Sequence, residues 1–147
     1  MKYQQMDFTE ELKIKIKNTE SSLKKHVEKL LNENKSVFLK KNLQFDADFN
    51  KDGDDPFKPG YSSSVAISIS DKTDKNGELI DLHIIKIWEC ERILLGMPIS
   101  KHILGSKIIG ELLDETLEEI KDELKEYIEE LLEDANQSSS TTNGGKS

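Results

Sequence analysis

The last part of the chain carries a helical pattern that any fold of this sequence must accommodate. Apolar residues recur there at alternating steps of four and three, which places them on one side of an α-helix. This apolar stripe consists of Leu113, Leu117, Ile120, Leu124, Tyr127 and Leu131. The pattern predicts a long amphipathic helix that begins near Ser100 or Ser106, ends near Asp134 and packs its stripe on the rest of the protein.

The same segment carries nearly all of the excess negative charge. Residues 106–134 contain twelve Asp and Glu against three Lys, whereas the whole chain has a net charge of −8. Because the apolar stripe occupies one side of the helix, we expect an outward row of acids: Asp114, Glu115, Glu118, Asp122, Glu126, Glu129 and Glu133. Like charges on adjacent turns repel each other, so this row needs a basic neighbour, either the lysine-rich first helix or a partner.

The N-terminal segment predicts a second helix, with one alternative. Its start is marked by a capping residue, Asp7 or Thr9, and its end is expected near Asn34. Residues 12–17 alternate between apolar residues and lysine, so a strand followed by a shorter helix is the alternative. His26 lies among charged neighbours and is expected at the surface. The apolar residues with helical spacing are Leu12, Ile16, Leu23, Val27 and Leu30.

Three segments between the helices have the period-two alternation of β-strands. They cover about residues 37–49, 65–70 and 79–90. Asn76-Gly77 predicts a type I′ turn between the second and third strands. The third strand is apolar on both faces from Ile84 to Trp88, which indicates a central strand with a buried Trp88.

These elements predict an α+β fold. The N-terminal helix is followed by a three-stranded antiparallel meander and by the long C-terminal amphipathic helix, which packs on the sheet. Residues 1–134 are expected to form a single domain. Residues 135–147 are rich in Ser, Thr, Asn and Gly, and we expect them to be a disordered polar tail.

One segment matches the first half of an EF-hand calcium loop. Asp48, Asn50 and Asp52 alternate before Gly53, and Asp54 offers a further carboxylate. The twelfth position of such a loop holds a bidentate Glu, but in this chain it is Pro59. Acidic turns with glycine also form for backbone reasons alone. We therefore expect no cofactor, with a Ca²⁺-responsive module that uses residues 48–53 as an alternative.

The remaining residues with reactive side chains form no recognisable site. Asp81, His83 and Glu89 are expected on one face of the third strand, with His102 after it, but their spacing matches no metal-ligand signature. Cys90 is the single cysteine and is expected to be a small buried apolar residue.

Several functional classes are disfavoured. The chain has no nucleophile elbow, no Walker loop, no dinucleotide fingerprint and no H-E-x-x-H, so we do not expect an enzyme. Its net charge disfavours nucleic acid as a partner. No apolar run approaches the length of a membrane span and none resembles a signal peptide, so we expect no membrane partner. The lone thiol fits a reducing compartment, and we expect a cytoplasmic protein.

A small acidic domain without a catalytic motif is well suited to bind a basic protein. The sequence therefore favours a non-enzymatic protein-binding module, specifically a small acidic cytoplasmic inhibitor or immunity-type protein. Besides the Ca²⁺-responsive module, the alternative is a secretion or assembly chaperone that docks its partner on an exposed sheet surface.

Overall fold

The protein is an α+β structure in which an N-terminal helix, a six-stranded antiparallel sheet and a C-terminal helix follow one another. The computed structural model describes residues 1–73 and 77–144, with side chains up to residue 136. The elements are β1 (Lys2–Gln4), α1 (Glu10–Leu39), β2 (Leu43–Asp52), β3 (Ser62–Asp71), β4 (Leu79–Leu94), β5 (Met97–Ile99), β6 (Lys107–Leu112) and α2 (Leu117–Gly144).

Helix α1 is continuous through the segment that alternates with lysine, so the alternative of a strand there is wrong. The hydroxyl of Thr9 caps the helix by accepting a hydrogen bond of 3.2 Å from the Leu12 amide. The helix continues beyond Asn34 to Leu39 because Phe38 is buried and stacks on Phe45, with 5.1 Å between the ring centroids. The first predicted strand therefore begins at residue 43 rather than residue 37.

The sheet contains the predicted meander but is twice as large. Its strand order is β1-β6-β4-β3-β2, and β5 pairs with the far end of β4. The expected central position of β4 is confirmed, whereas the expected count of three strands is wrong. Residues 107–112, which we expected in the last helix, form β6 beside β4, so α2 begins at Leu117. Asn76 lies outside the described residues, and Gly77 has a positive φ of 59°.

Both helices cover the same face of the sheet. Phe38 of α1 stacks on Phe45 of β2, and Tyr127 of α2 stacks on His83 of β4 at 4.6 Å between ring centroids. Phe45 and His83 are each paired with a buried isoleucine of β3, so both lie on the buried face. The opposite face of the sheet has no helix packed on it among the described residues.

A β-bulge at Ile87 explains why β4 is apolar on both faces in sequence. Ser63 pairs with Trp88, but Ser64 pairs with Lys86, so Ile87 is the extra residue. Ile87 and Trp88 are adjacent in sequence, yet both are fully buried. Every residue after the bulge in β4 therefore lies on the face opposite to the one that regular alternation predicts.

Of the predicted stripe, Ile120 and Leu124 are buried, Leu117, Tyr127 and Leu131 are partly buried, and Leu113 precedes the helix. Ile128, which the predicted stripe did not include, is buried as well. The backbone of α2 is described up to Gly144, and the division into a domain of residues 1–134 and a polar tail of residues 135–147 stays a prediction. Within residues 1–73 and 77–144, no helix combines the length and the apolar character that spanning a membrane requires.

The side chain of Trp88 lies in the core, at the point where β4 pairs with β6. Its side chain is 0% exposed, and its Nε1 donates a hydrogen bond of 2.7 Å to the carbonyl oxygen of Pro56. The ring lies directly over Gly110 of β6, where a Cβ atom would be only 2.1 Å from Trp88 Cη2. Phe8 and Phe57 contact the same ring edge-on. The predicted burial of Trp88 is confirmed.

We expect Trp88→Ala to lower the free energy of unfolding by about 3–5 kcal/mol, because it leaves a large cavity. Gly110→Ala should lower it by about 1–3 kcal/mol, because a methyl group there overlaps the indole. Urea denaturation measures both changes. Gly110→Ala in a Trp88→Phe background is the control, since a smaller ring should accept the methyl group at less cost. Unchanged stability in Gly110→Ala would contradict this packing.

Candidate protein-binding surface

The acidic row predicted from the sequence is exposed throughout. Glu118, Asp122, Glu126, Glu129 and Glu133 lie on α2, at steps that keep them on one side of the helix. The other two predicted residues precede the helix: Asp114 pairs with the amino group of Met1, and Glu115 lies just before α2. Two further exposed acids, Glu119 and Glu130, widen the row and were not identified from the sequence.

The two lysines of α2 do not interrupt this row. Lys121 and Lys125 line a groove of about 370 Å³ between the two helices, together with His26 and Lys29 of α1. The basic residues therefore gather on the flank of α2 that faces α1. Asp122 and Glu129 border the same groove, whereas the exposed Glu118, Glu126 and Glu133 lie outside its lining.

The acids at the start of α2 influence each other electrostatically. Slight burial raises the pKa of Glu115, and a side-chain hydrogen bond with Glu123 and the negative charges of Glu123 and Glu119 raise it further. A raised carboxyl pKa shows that the ionised form is disfavoured by its neighbours. The carboxylates of Glu115, Glu119 and Glu123 therefore repel one another at the start of α2.

A polar cluster on β4 joins the sheet to α2. His83 Nε2 lies 2.9 Å from a carboxylate oxygen of Glu123, and the imidazole stacks on Tyr127. Burial raises the pKa of Tyr127, and the nearby Asp81 raises it further. These contacts anchor α2 at the middle of its length, so this cluster has a structural role.

The expectation that Asp81, His83 and Glu89 share one face is wrong. The bulge at Ile87 puts Glu89 on the open face, where it pairs with Lys86 at 2.7 Å. His102 lies in the loop after β5. In the part of the chain that the structure describes, no group of three or more His, Cys, Asp or Glu is arranged to hold a metal ion.

Two other groups with reactive chemistry are enclosed in the core. The hydroxyl of Tyr61 donates a hydrogen bond of 2.6 Å to the buried carboxylate of Glu20 in α1. The predicted burial of Cys90 is confirmed, and burial raises the pKa of its thiol to about 11. A thiol with this pKa stays protonated near neutral pH and is a poor nucleophile.

The segment that matches an EF-hand loop is in β2. Asp48, Asn50 and Asp52 alternate along this strand on the open face, and Asp54 follows it. Alternate residues of a strand are about 6.6 Å apart, whereas one Ca²⁺ draws its oxygen ligands to about 2.3–2.6 Å from itself. The strand continues past its predicted end near Phe49, because it pairs with β3 as far as Asp52.

The open face of the sheet is a second surface. Its middle is a stripe of β3 residues, and beside it Leu82 and Ile84 of β4 are exposed although the sequence indicated a buried strand. The stripe consists of Ser62, Ser64, Ala66, Ser68 and Ser70. The sequence signal was misleading because the adjacent apolar pairs Ile84-Ile85 and Ile87-Trp88 suggest burial on both sides.

Known proteins provide no relative for this chain. It matches no family model, no curated protein and no solved structure. The functional inference therefore depends on the surfaces themselves.

His26 gives a prediction for the pH dependence of stability. Contrary to expectation it is half-buried, its Nε2 has no hydrogen-bond partner, and burial lowers its pKa, followed by the charges of Lys121 and Lys29. The unfolded chain therefore binds a proton more readily, so the native state loses stability as the pH falls through about 6.5. When the pH is lowered from about 7 to about 5.5, the free energy of unfolding measured in urea should fall less for His26→Gln than for the wild type. Equal losses would contradict this assignment.

The calcium alternative has a direct test. Because Asp48, Asn50 and Asp52 lie along a strand, we expect millimolar Ca²⁺ to leave the melting temperature unchanged compared with EDTA. Asp52→Ala serves as the control. A rise in the wild type that this variant abolishes would establish a calcium site.

Proposed function

We propose that the protein is a non-enzymatic protein-binding module, a small acidic inhibitor or immunity-type protein of the cytoplasm that binds a basic protein through α2. The observation that carries this proposal is the row of exposed carboxylates along α2, which outnumber its two lysines, both of which line the groove shared with α1. The basic partner is inferred from this charge complementarity.

The geometry of the row suits protein recognition. From Glu118 to Glu133 the helix rises about 22 Å, a length comparable to the width of an ordinary protein interface. Long-range attraction to such a surface accelerates encounter with a basic partner, and this acceleration decreases as salt screens the charges.

Folding alone does not account for so many acids on one face. Each pair of like charges four residues apart destabilises a helix by about 0.2–0.5 kcal/mol, and the row contains several such pairs. Glu118 and Asp122, Asp122 and Glu126, and Glu129 and Glu133 have this spacing. A basic partner that covers the row would convert this repulsion into attraction.

A second candidate function is that of a secretion or assembly chaperone, which would hold its partner on the open face of the sheet. The supporting observation is that Leu82 and Ile84 are exposed beside the serine stripe, with no element of the described chain covering them. Exposed apolar side chains beside a polar rim are typical of protein-binding surfaces.

Charge reversal distinguishes the two candidates. We expect Glu118→Lys, Asp122→Lys and Glu126→Lys together to leave the fold intact and to slow association with a partner captured from lysate, with a loss that shrinks as salt rises. The matched control reverses three exposed acids of the open face, Asp48, Asp52 and Glu111, and so changes the net charge equally.

Surface-capture kinetics at low and high salt, with circular dichroism to check the fold, measure these effects. Unchanged association in the α2 variant would contradict the proposal. Slower association in the control variant alone would indicate that the partner binds the open face of the sheet.

A further inference from the structure

One segment of this acidic protein is locally basic and apolar. From Arg92 to Lys107 the chain contains no Asp or Glu, and Lys101 adds a third positive charge. The segment covers the end of β4, strand β5 and the loop that leads to β6. No other described part of the chain combines this charge with so many exposed aliphatic side chains.

The structure brings the two turns of this segment together. Strands β5 and β6 pair with opposite edges of β4 at Arg92 and Ile93, so the loop of residues 100–106 crosses the end of β4. In this crossing, Arg92 Nη1 donates a hydrogen bond of 3.3 Å to Ser106 Oγ. A Cβ atom on Gly105 would lie 3.9 Å from Leu94. Residues 94–97 and 100–106 therefore form one end of the molecule, here called the β4–β5 tip.

The outermost side chains of this tip are aliphatic. Leu95 is 96% exposed, Leu104 is 94% exposed and Met97 is 69% exposed, and Ile103 is exposed beside them. Leu95 also has a positive φ of 52° in its turn with Gly96. Such turns favour Asn, Asp or Gly, and a leucine there is strained without gaining any internal contact. The tip thus presents apolar side chains that the fold itself does not use.

The tip lies far from the acidic surface. The turn between β6 and α2 contacts β4 at Ile87, whose carbonyl accepts a hydrogen bond from the Leu113 amide, and α2 then runs past His83 towards Ile80. The tip extends from Ile87 in the opposite direction by seven residues, or about 23 Å. The positive and negative ends of the molecule are therefore separated along β4.

We propose that the β4–β5 tip inserts into the headgroup region of a membrane that contains anionic lipids. Convex apolar side chains with basic residues behind them match such an interface, in which aliphatic groups enter the acyl boundary and lysines contact the headgroups. The separated charges orient the tip towards the anionic surface and α2 away from it. The expectation of no membrane partner rested on the absence of a long apolar run and of a signal peptide, and neither criterion detects a short apolar tip.

Cosedimentation of the full chain with vesicles tests the proposal. We expect binding to vesicles of phosphatidylcholine and phosphatidylserine, weaker binding to phosphatidylcholine alone, and a decrease with salt. Leu95→Asn introduces a residue that favours the turn and removes the apolar group. The affinity for the vesicles should therefore fall by about tenfold, while the melting temperature stays the same or rises. Replacing Lys101 and Lys107 by Gln should weaken binding only to the anionic vesicles.

Leu82→Thr is the matched control, because it removes an exposed leucine from the open sheet face and should leave vesicle binding unchanged. Leu104→Ser is a second tip variant, for which we expect the same loss as for Leu95→Asn. The absence of wild-type binding, or equal binding by the tip variants, would overturn the proposal. Self-association of the wild type that Leu95→Asn abolishes without any vesicle binding would overturn it too, since the tip would then contact a second copy.

The charge-reversed α2 variant should still bind vesicles through the tip. The proposed basic partner and the proposed lipid surface are therefore tested independently of each other.

Discussion

The contact of the Trp88 ring with Gly110 determines how the two halves of the sheet fit together. The indole occupies the space that a side chain on β6 would fill, and its nitrogen fixes the loop before β3 through the carbonyl of Pro56. Phe8 packs on the same ring and so ties the start of α1 to the sheet. One buried side chain thus connects four segments that are distant in sequence. The bulge at Ile87 is required for this arrangement, because it turns Trp88 towards the core.

The elements that sequence periodicity predicted are the long ones. Helix α1, the β2–β4 meander and the apolar stripe of α2 each repeat their pattern over many residues, and each was found. Strands β1 and β5 have only three residues each, which is too short for a period-two alternation to be recognised in the sequence. The sequence places the residues of β6 in the last helix because Ser100 and Ser106 are the residues that could start that helix. What makes it a strand is its pairing with β4 beneath Trp88, a tertiary contact that periodicity does not encode.

The candidate surface was predictable to the extent that it depends on helical spacing alone. Once the apolar stripe of α2 is buried, the side on which Glu118, Asp122 and Glu126 lie follows from geometry. The direction of Lys121 and Lys125 does not follow, because it depends on where α1 packs. The bulge had a similar effect on Glu89, since a single extra residue reverses the facing of everything after it. Averaging charge over the whole chain likewise concealed the basic β4–β5 tip.

Strand β4 connects the stability of the fold to both proposed surfaces. It has 16 residues where β3 has ten, so it extends beyond the sheet region that the helices cover, and β5 and β6 pair with the extension. Its first half supports α2 through His83, and its second half carries the tip. Because the same strand contacts α2 through His83 and continues into the tip, the two proposed surfaces are placed towards opposite ends of β4.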